Sequence, residues 1–200
     1  MSKKGLLVVF TGPSGCGKGT IMKQLLERYD DIALSVSMTT RKPRPGEIDG
    51  FHYHFVTHEQ FEQMIADNGF LEYAKYSDNY YGTPAAPVQK LLDEGKNVML
   101  EIEVQGGEKV MDKCPDAVSI FIDVPSFEEL ERRLRGRGTE TEDVIEGRLK
   151  AARYELSRIF RYQYVVLNDE VEAAVARVRA IIEAEHMRYS RMKNSILEVN

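Results

Sequence analysis

The sequence predicts an α/β fold: a P-loop three-layer core with a central, mostly parallel sheet, a small inserted lobe and a helical lid. Three observations carry that prediction. An apolar run ends in a glycine-rich turn that opens a helix. Apolar strands then alternate with amphipathic helices. Between them, residues 37–82 break the rhythm with prolines, glycines and a cluster of His, Tyr and Phe. Strands separated by helices imply parallel pairing, with helices covering both faces of the sheet.

Taken in order, residues 5–11 form the first strand, because uninterrupted apolar side chains suit a strand buried on both faces. Residues 18–29 read as a helix with Ile21, Leu25 and Leu26 on one face. The stretch 37–82 reads as short strands around one helix at about 58–68. Further strands are expected at 98–104, 117–124 and 164–167, and helices at 83–94, 105–113, 126–135 and 142–160. Along the last of these, Ile145, Leu149, Ala152, Leu156 and Ile159 share a face, and Thr139 or Thr141 caps its start. Asp169 caps a final helix with the inward stripe Val171, Val175, Val178 and Ile182. The expected organisation is a core of residues 1–36 and 84–185, a lid at about 133–150, a lobe at 37–83 and a loose tail at 186–200.

Composition narrows the function. Of 200 residues, 42% are hydrophobic, enough for one real core. The net charge is −5, from 27 Lys and Arg against 32 Asp and Glu, with both signs interleaved. That balance argues against a nucleic-acid binder, which carries a basic excess. Small anions need only a local cluster of cations and stay open. Cys16 and Cys114 make neither a disulfide framework nor a metal-ligand spacing. No apolar run reaches the roughly 18 residues of a membrane span, and residues 6–10 are too short for a signal-peptide core. The expectation is a soluble, cytoplasmic protein with no nucleic-acid or membrane partner.

The strongest motif follows the first strand: Gly12-Pro13-Ser14-Gly15-Cys16-Gly17-Lys18-Gly19-Thr20. It fits G-x-x-x-x-G-K between a strand and a helix, the context this phosphate cradle requires. Glycines let the backbone curl so that successive N–H groups point inward, and the helix adds its positive end. Lys18 supplies a point charge to the outer phosphates, so the loop predicts a nucleoside triphosphate. The residue after Lys is Gly19 in place of the usual hydroxyl, which leaves Thr20, water or an acidic side chain to serve a magnesium ion. Cys16 reads either as filler or as a thiol made acidic by the loop dipoles and open to oxidation.

A P-loop alone leaves the acceptor open. Within the lobe, Arg41 and Arg44 stand three residues apart in a proline-fixed turn, and paired guanidinium groups suit a phosphate dianion. Tyr53 and Tyr81 add neutral donors for the same group. His52, His54 and His58 lie close together but lack the neighbouring ligands of a zinc site, and read as ordinary lobe packing. Arg135-Gly136-Arg137-Gly138-Thr139 joins two helices with glycines about a charge, a composition that suits a hinge.

These pieces together resemble the guanylate kinase family. The resemblance rests on residues 35–47, Asp49-Gly50-Phe51-His52-Tyr53, Phe70-Leu71-Glu72-Tyr73 and Asn79-Tyr80-Tyr81-Gly82-Thr83. It continues through Glu101-Ile102-Glu103-Val104-Gln105-Gly106, residues 137–142 and Val165-Val166-Leu167-Asn168-Asp169. It implies transfer of a phosphoryl group from ATP to GMP, with dGMP an expected further acceptor, and it makes the inserted lobe the GMP-binding one. It matches Arg41, Arg44, Tyr53 and Tyr81 to the GMP phosphate, and Ser37, Glu72, Thr83 and Glu103 to the guanine. Arg133, Arg137 and Arg148 match lid arginines that close over the ATP phosphates, and Asn168 a position beside the adenine. With Lys18, Arg41 and these arginines as the catalytic set, Mg²⁺ is the expected cofactor.

The base choice also follows from chemistry. Guanine shows two donors on one edge, which a carboxylate such as Glu72 accepts together, whereas adenine presents an acceptor there. Glu101 and Glu103 are expected at the carboxyl end of one strand, where ligands bind in open α/β sheets. Alternate strand residues point the same way, so both acids face one cleft, Glu101 toward the metal and Glu103 toward guanine. A non-catalytic phosphopeptide-binding relative and a kinase for another base are the rival readings. The complete P-loop opposes the first, and Glu72 with Arg41 and Arg44 the second. A monomer or a homodimer is compatible with all of this.

Overall fold

In a computed structural model that describes residues 4–136 and 141–192, the opening apolar run becomes β1 (Leu7–Thr11), with Val8, Val9 and Phe10 fully buried. It is the middle strand of a five-stranded sheet. The others are β2 (Ile32–Leu34), β7 (Asn97–Glu101), β8 (Val118–Asp123) and β9 (Tyr164–Leu167), in the order β2-β7-β1-β8-β9. β2 pairs parallel with β7, and β8 parallel with β9. This is the expected α/β core.

A second sheet lies in the inserted segment. It is built from β3 (Met38–Thr39), β4 (His54–Phe55), β5 (Phe70–Tyr76) and β6 (Asn79–Pro84), ordered β4-β3-β6-β5. The β5–β6 hairpin is antiparallel and sets Glu72 opposite Thr83. Helix α2 (His58–Ala66) starts at a complete capping box between Thr57 and Gln60. Its Phe61 is fully buried, stacked on Phe70 at 4.3 Å and on Tyr80 at 5.2 Å. That aromatic stack is the core of the small sheet.

By contact density the chain divides into two compact units. Among the described residues, one holds 4–9 and 31–117, and the other 10–30, 118–136 and 141–192. In the first, α3 (Ala85–Asp93) packs on β7 and α4 (Val104–Lys113) on β5. In the second, α7 (Val171–His186) packs on β9 and on α1 (Lys18–Arg28), and α5 (Phe127–Arg135) meets α6 (Glu142–Leu156). No helix among the described residues is long and apolar enough to cross a membrane.

Several boundaries differ from expectation for physical reasons. β2 was not predicted; three residues carry no periodicity, and their partner β7 makes them a strand. The expected strand 98–104 stops at Glu101, because Val104 is buried as the first residue of α4. The helix expected from residue 83 starts at Ala85, since Thr83 and Pro84 pair with β5. Helix α6 ends at Leu156, and a separate 3₁₀ turn covers Ile159–Arg161. Thr141 precedes α6 without a side-chain cap, and Thr139 lies outside the described residues.

The final helix is not capped by Asp169. Its carboxylate accepts the Glu170 amide at 2.9 Å and pairs with Arg177 at 2.6 Å, while the helix begins at Val171. The start of the expected loose tail is also tied down. Arg188 and Arg191 approach the buried Glu185 carboxylate at 3.4 and 3.1 Å, and Tyr164 donates its hydroxyl to the same group at 2.6 Å.

Candidate active site

The glycine-rich turn is shaped by backbone angles only glycine adopts readily. Gly12, Gly15 and Gly17 have φ of 149°, 91° and 92°. A Cβ on Gly12 would lie 2.2 Å from the Ile122 carbonyl oxygen, and one on Gly17 2.3 Å from Asn168 Nδ2. Gly17 immediately precedes α1, whose first amides have no intrahelical acceptor. Lys18 folds back over the loop, its ammonium donating to the carbonyls of Gly12 and, at 3.3 Å, of Pro13. A cation already poised over curled backbone is what a polyphosphate requires. Gly19 and Thr20 are exposed on the first turn.

Cys16 is fully buried, and burial pushes its thiol above the ordinary value despite the neighbouring Lys18. Of the two readings of Cys16, its burial supports the packing one over the acidic, oxidisable thiol. Arg148, from α6, donates to the Ser14 hydroxyl at 3.0 Å, so one expected lid arginine touches the loop itself. Arg133 instead rests on Glu129 at 2.7 Å and on the Asn168 backbone carbonyl at 2.9 Å. Arg137 lies outside the described residues. Asn168 is buried and donates its side-chain amide to the Cys16 carbonyl at 2.7 Å.

The inserted sheet gathers a second set. Arg41 makes a two-point ion pair with Glu47, at 2.9 and 2.8 Å, and its guanidinium lies 5.5 Å from the Tyr53 ring centre. Glu47 also accepts the Arg44 amide at 2.7 Å. Arg41 and that amide hold the Glu47 carboxyl down at about 2. Tyr53 and Tyr81 stand with ring centres 6.1 Å apart, and Arg41 also interacts with the Tyr81 hydroxyl. Arg44 is exposed at the turn. Arg41 and both tyrosines thus come together, with Arg44 joined to them through its backbone amide on Glu47, but Glu47 has no role assigned from sequence. Its signal was its place inside the same Pro- and Gly-fixed turn, an acid six residues after Arg41.

Glu72 is buried at 9% exposure and accepts the Thr83 hydroxyl at 2.7 Å. Burial pushes its carboxyl upward, opposed by Thr83 and by the charge of Lys109. Helix α4 comes close here because Gly106 has no side chain: a Cβ would meet Glu72 Oε2 at 3.1 Å. Lys109 and Lys113 brace α4 on β5, donating to the carbonyls of Tyr73 and Phe70 at 2.8 and 2.7 Å. Ser37 is half-buried beside β3, its carbonyl accepting the His54 amide at 2.9 Å.

Glu101 ends β7 as expected and is half-buried, but Glu103 lies beyond the strand, exposed, with φ −72° and ψ 160° before α4. The two acids therefore do not share a strand face, and the alternation argument fails for Glu103. Its negative charge still bears on Glu72, raising that carboxyl slightly further. Among the described residues no group of three or more His, Cys, Asp or Glu gathers to hold a metal unaided.

Known proteins resemble this chain over nearly its whole length. The family model described as guanylate kinase matches residues 4–185. A guanylate kinase of Clostridium perfringens is 53% identical over 197 residues, covering 98% of this chain and 91% of that protein. One from Lactococcus lactis is 53% identical over 192 residues, covering 96% and 94%. The crystal structure of guanylate kinase from Anaplasma phagocytophilum superimposes with a TM-score of 0.76 at 34% identity, covering 98% of this chain and 95% of that one.

Proposed function

The chain belongs to the guanylate kinase family and transfers a phosphoryl group from ATP to GMP, and we propose that two separately built sets of residues do this. The first takes ATP: Gly12, Pro13, Ser14, Gly15, Cys16, Gly17, Lys18, Gly19 and Thr20 cradle the phosphates, with Asn168 beside them. The second, in the lobe of residues 37–83 with Glu103 from the turn before α4, takes GMP through Ser37, Arg41, Arg44, Tyr53, Glu72, Tyr81, Thr83 and Glu103. The observation that carries the reading is the buried Glu72 carboxylate bonded to Thr83 at 2.7 Å. A buried acceptor of that kind matches the two donors on one edge of guanine and rejects adenine. None of these base contacts reads the 2′-hydroxyl, so dGMP is accepted too.

Phosphoryl transfer asks for positioning and charge neutralisation, and no protein nucleophile is required. An oxygen of the GMP phosphate attacks the γ-phosphorus of ATP in line. Lys18 exchanges the loop carbonyls for the outer phosphates. Arg41 turns its second face to the acceptor phosphate while Glu47 keeps its orientation. Arg133, Arg137 and Arg148, in a lid at about 133–150, offset charge on the transferring group and exclude water. The donor chemistry suits Mg²⁺: it is usually held by one or two protein oxygens plus substrate phosphates, and the half-buried Glu101 carboxylate would offer one. When bound, it neutralises charge on the phosphates. A cytoplasmic setting, where both nucleotides are found, belongs to the same proposal.

An ADP-release assay with Mg-ATP and each of GMP, dGMP, AMP, CMP and UMP tests it. Turnover with the two guanine acceptors alone is expected. Comparable turnover with AMP or UMP would overturn the assignment of Glu72 as the base-reading group.

A further inference from the structure

Asn168 is expected from the family resemblance to stand beside the adenine, yet its surroundings point elsewhere. The residue is 3% exposed. Its side-chain N–H donates to the Cys16 carbonyl in the middle of the phosphate loop at 2.7 Å. Its backbone N–H donates to the Asp123 carbonyl at 2.7 Å, and its backbone carbonyl accepts from Arg133 at 2.9 Å. Gly17, at φ 92°, curves so closely around it that a Cβ there would strike Nδ2 at 2.3 Å. The residue is thus a post fixed at both backbone groups to the end of β8 and to α5, with the loop bent around its amide.

A buried carbonyl demands a donor, and the Asn168 amide is the side-chain donor that meets the Cys16 carbonyl. Asn is the side chain of that length that brings an N–H donor without a charge. We propose that Asn168 is a positioning residue that sets the curvature of the phosphate loop, acting on the triphosphate through the Cys16–Gly17 backbone and not by reading the base. The curvature decides whether the loop amides converge on one phosphate chain. Losing the bond therefore weakens every triphosphate equally, whatever its base. The backbone carbonyl of the same residue holds Arg133, so a lid arginine rests on the residue whose side chain shapes the cradle.

The inference rests on Gly12–Thr20 being the triphosphate cradle, and its test separates the two claims. The informative variant is Asn168→Asp, the same size but presenting oxygen to the Cys16 carbonyl. Asn168→Ala, which removes the donor without adding charge, serves if the first does not fold. The probes are inorganic tripolyphosphate, which has no base, and the donor pair ATP and inosine triphosphate, which differ at the 6-position of the purine. Folding is checked by thermal denaturation and by the KM for GMP.

The expected result is a loss of about 10- to 100-fold in tripolyphosphate affinity, the scale of leaving a buried polar group unmatched. An equal loss is expected in kcat/KM for both donors, with the ATP to inosine triphosphate ratio and the KM for GMP changing less than about twofold. A simple loss of folded protein would lower kcat and leave the tripolyphosphate dissociation constant of the remaining enzyme unchanged. Unchanged tripolyphosphate affinity, or a donor ratio that collapses, would overturn the proposal. Lys18→Ala run in parallel must lose tripolyphosphate; if it does not, the cradle reading itself fails.

Discussion

The two substrate sets are built from different materials. The phosphate loop is backbone: three glycines at positive φ, one buried carbonyl held by Asn168, and a lysine resting on Gly12 and Pro13. The acceptor lobe is side chain: Arg41 locked on Glu47, two tyrosines, and a buried Glu72 held by Thr83. In each, the cation rests on an acceptor of the chain's own until a phosphate arrives. For Lys18 the acceptors are carbonyls, displaced at little cost. For Arg41 it is a carboxylate, which stays and orients the arginine. A backbone cradle suits a substrate defined by repeated phosphates, whereas side chains are needed to tell one base from another.

The largest effect that sharpens this contrast is expected from Glu72→Gln. Replacing an ionised acceptor by an amide mismatches one guanine donor, and kcat/KM for GMP should fall on the order of 10⁴-fold, while ATP binding is unchanged. The same change should raise the melting temperature. Burial raises the Glu72 pKa, so the folded chain binds its proton more tightly than the unfolded chain, and stability falls as pH rises through that window. A glutamine carries no such penalty at neutral pH. A variant that loses GMP and also melts earlier would contradict the assignment. Next comes Lys18→Ala, expected to lower kcat by about 10²- to 10³-fold, as removal of one transition-state donor does, with the KM for GMP intact.

Gly17→Ala should act on one region alone. The strain of φ 92° and the collision with Asn168 predict a loss of about 1–3 kcal/mol, read by denaturation, together with weaker ATP binding. The smallest effect concerns Glu47. Glu47→Gln removes the charge and one of the two oxygens that hold Arg41 and the Arg44 amide, and the KM for GMP should rise about 3- to 10-fold with kcat nearly constant. Acid gives the same result reversibly. The Glu47 carboxyl sits at about 2 in the fold, so its contribution to stability is complete above the ordinary carboxylate range. It is lost as pH falls from there toward 2. Titration of the native and Glu47→Gln chains should converge at the acid end.

The same division explains what the sequence revealed. The phosphate loop was readable residue by residue, because the glycine spacing is imposed by backbone geometry that no other residue satisfies. The α/β alternation was readable because buried strands and amphipathic helices differ in period. The lobe was less readable: the Arg41 and Arg44 pair with Tyr53 and Tyr81 suggested a phosphate, but Glu72 is an ordinary edge acid until pairing sets it on Thr83, and only the family resemblance singled it out. Glu47 and Lys109 escaped even that, since their roles are contacts to other side chains and carbonyls. β2 was missed because its three residues are a strand only beside β7. The strand placement of Glu103 failed because the buried Val104 starts a helix one residue later, and Asn168 was legible as a position but not as a hydrogen bond.

The central claim, that a backbone cradle and a side-chain lobe hold their substrates independently, is tested most directly by calorimetric titration. The native, Lys18→Ala and Glu72→Gln chains would each be titrated with a non-hydrolysable ATP analogue and, separately, with GMP. The account predicts a crossed result: Lys18→Ala loses the ATP analogue and keeps GMP, and Glu72→Gln keeps the analogue and loses GMP. If either substitution weakens both ligands to a similar degree, the two sets are one coupled site and the account is wrong.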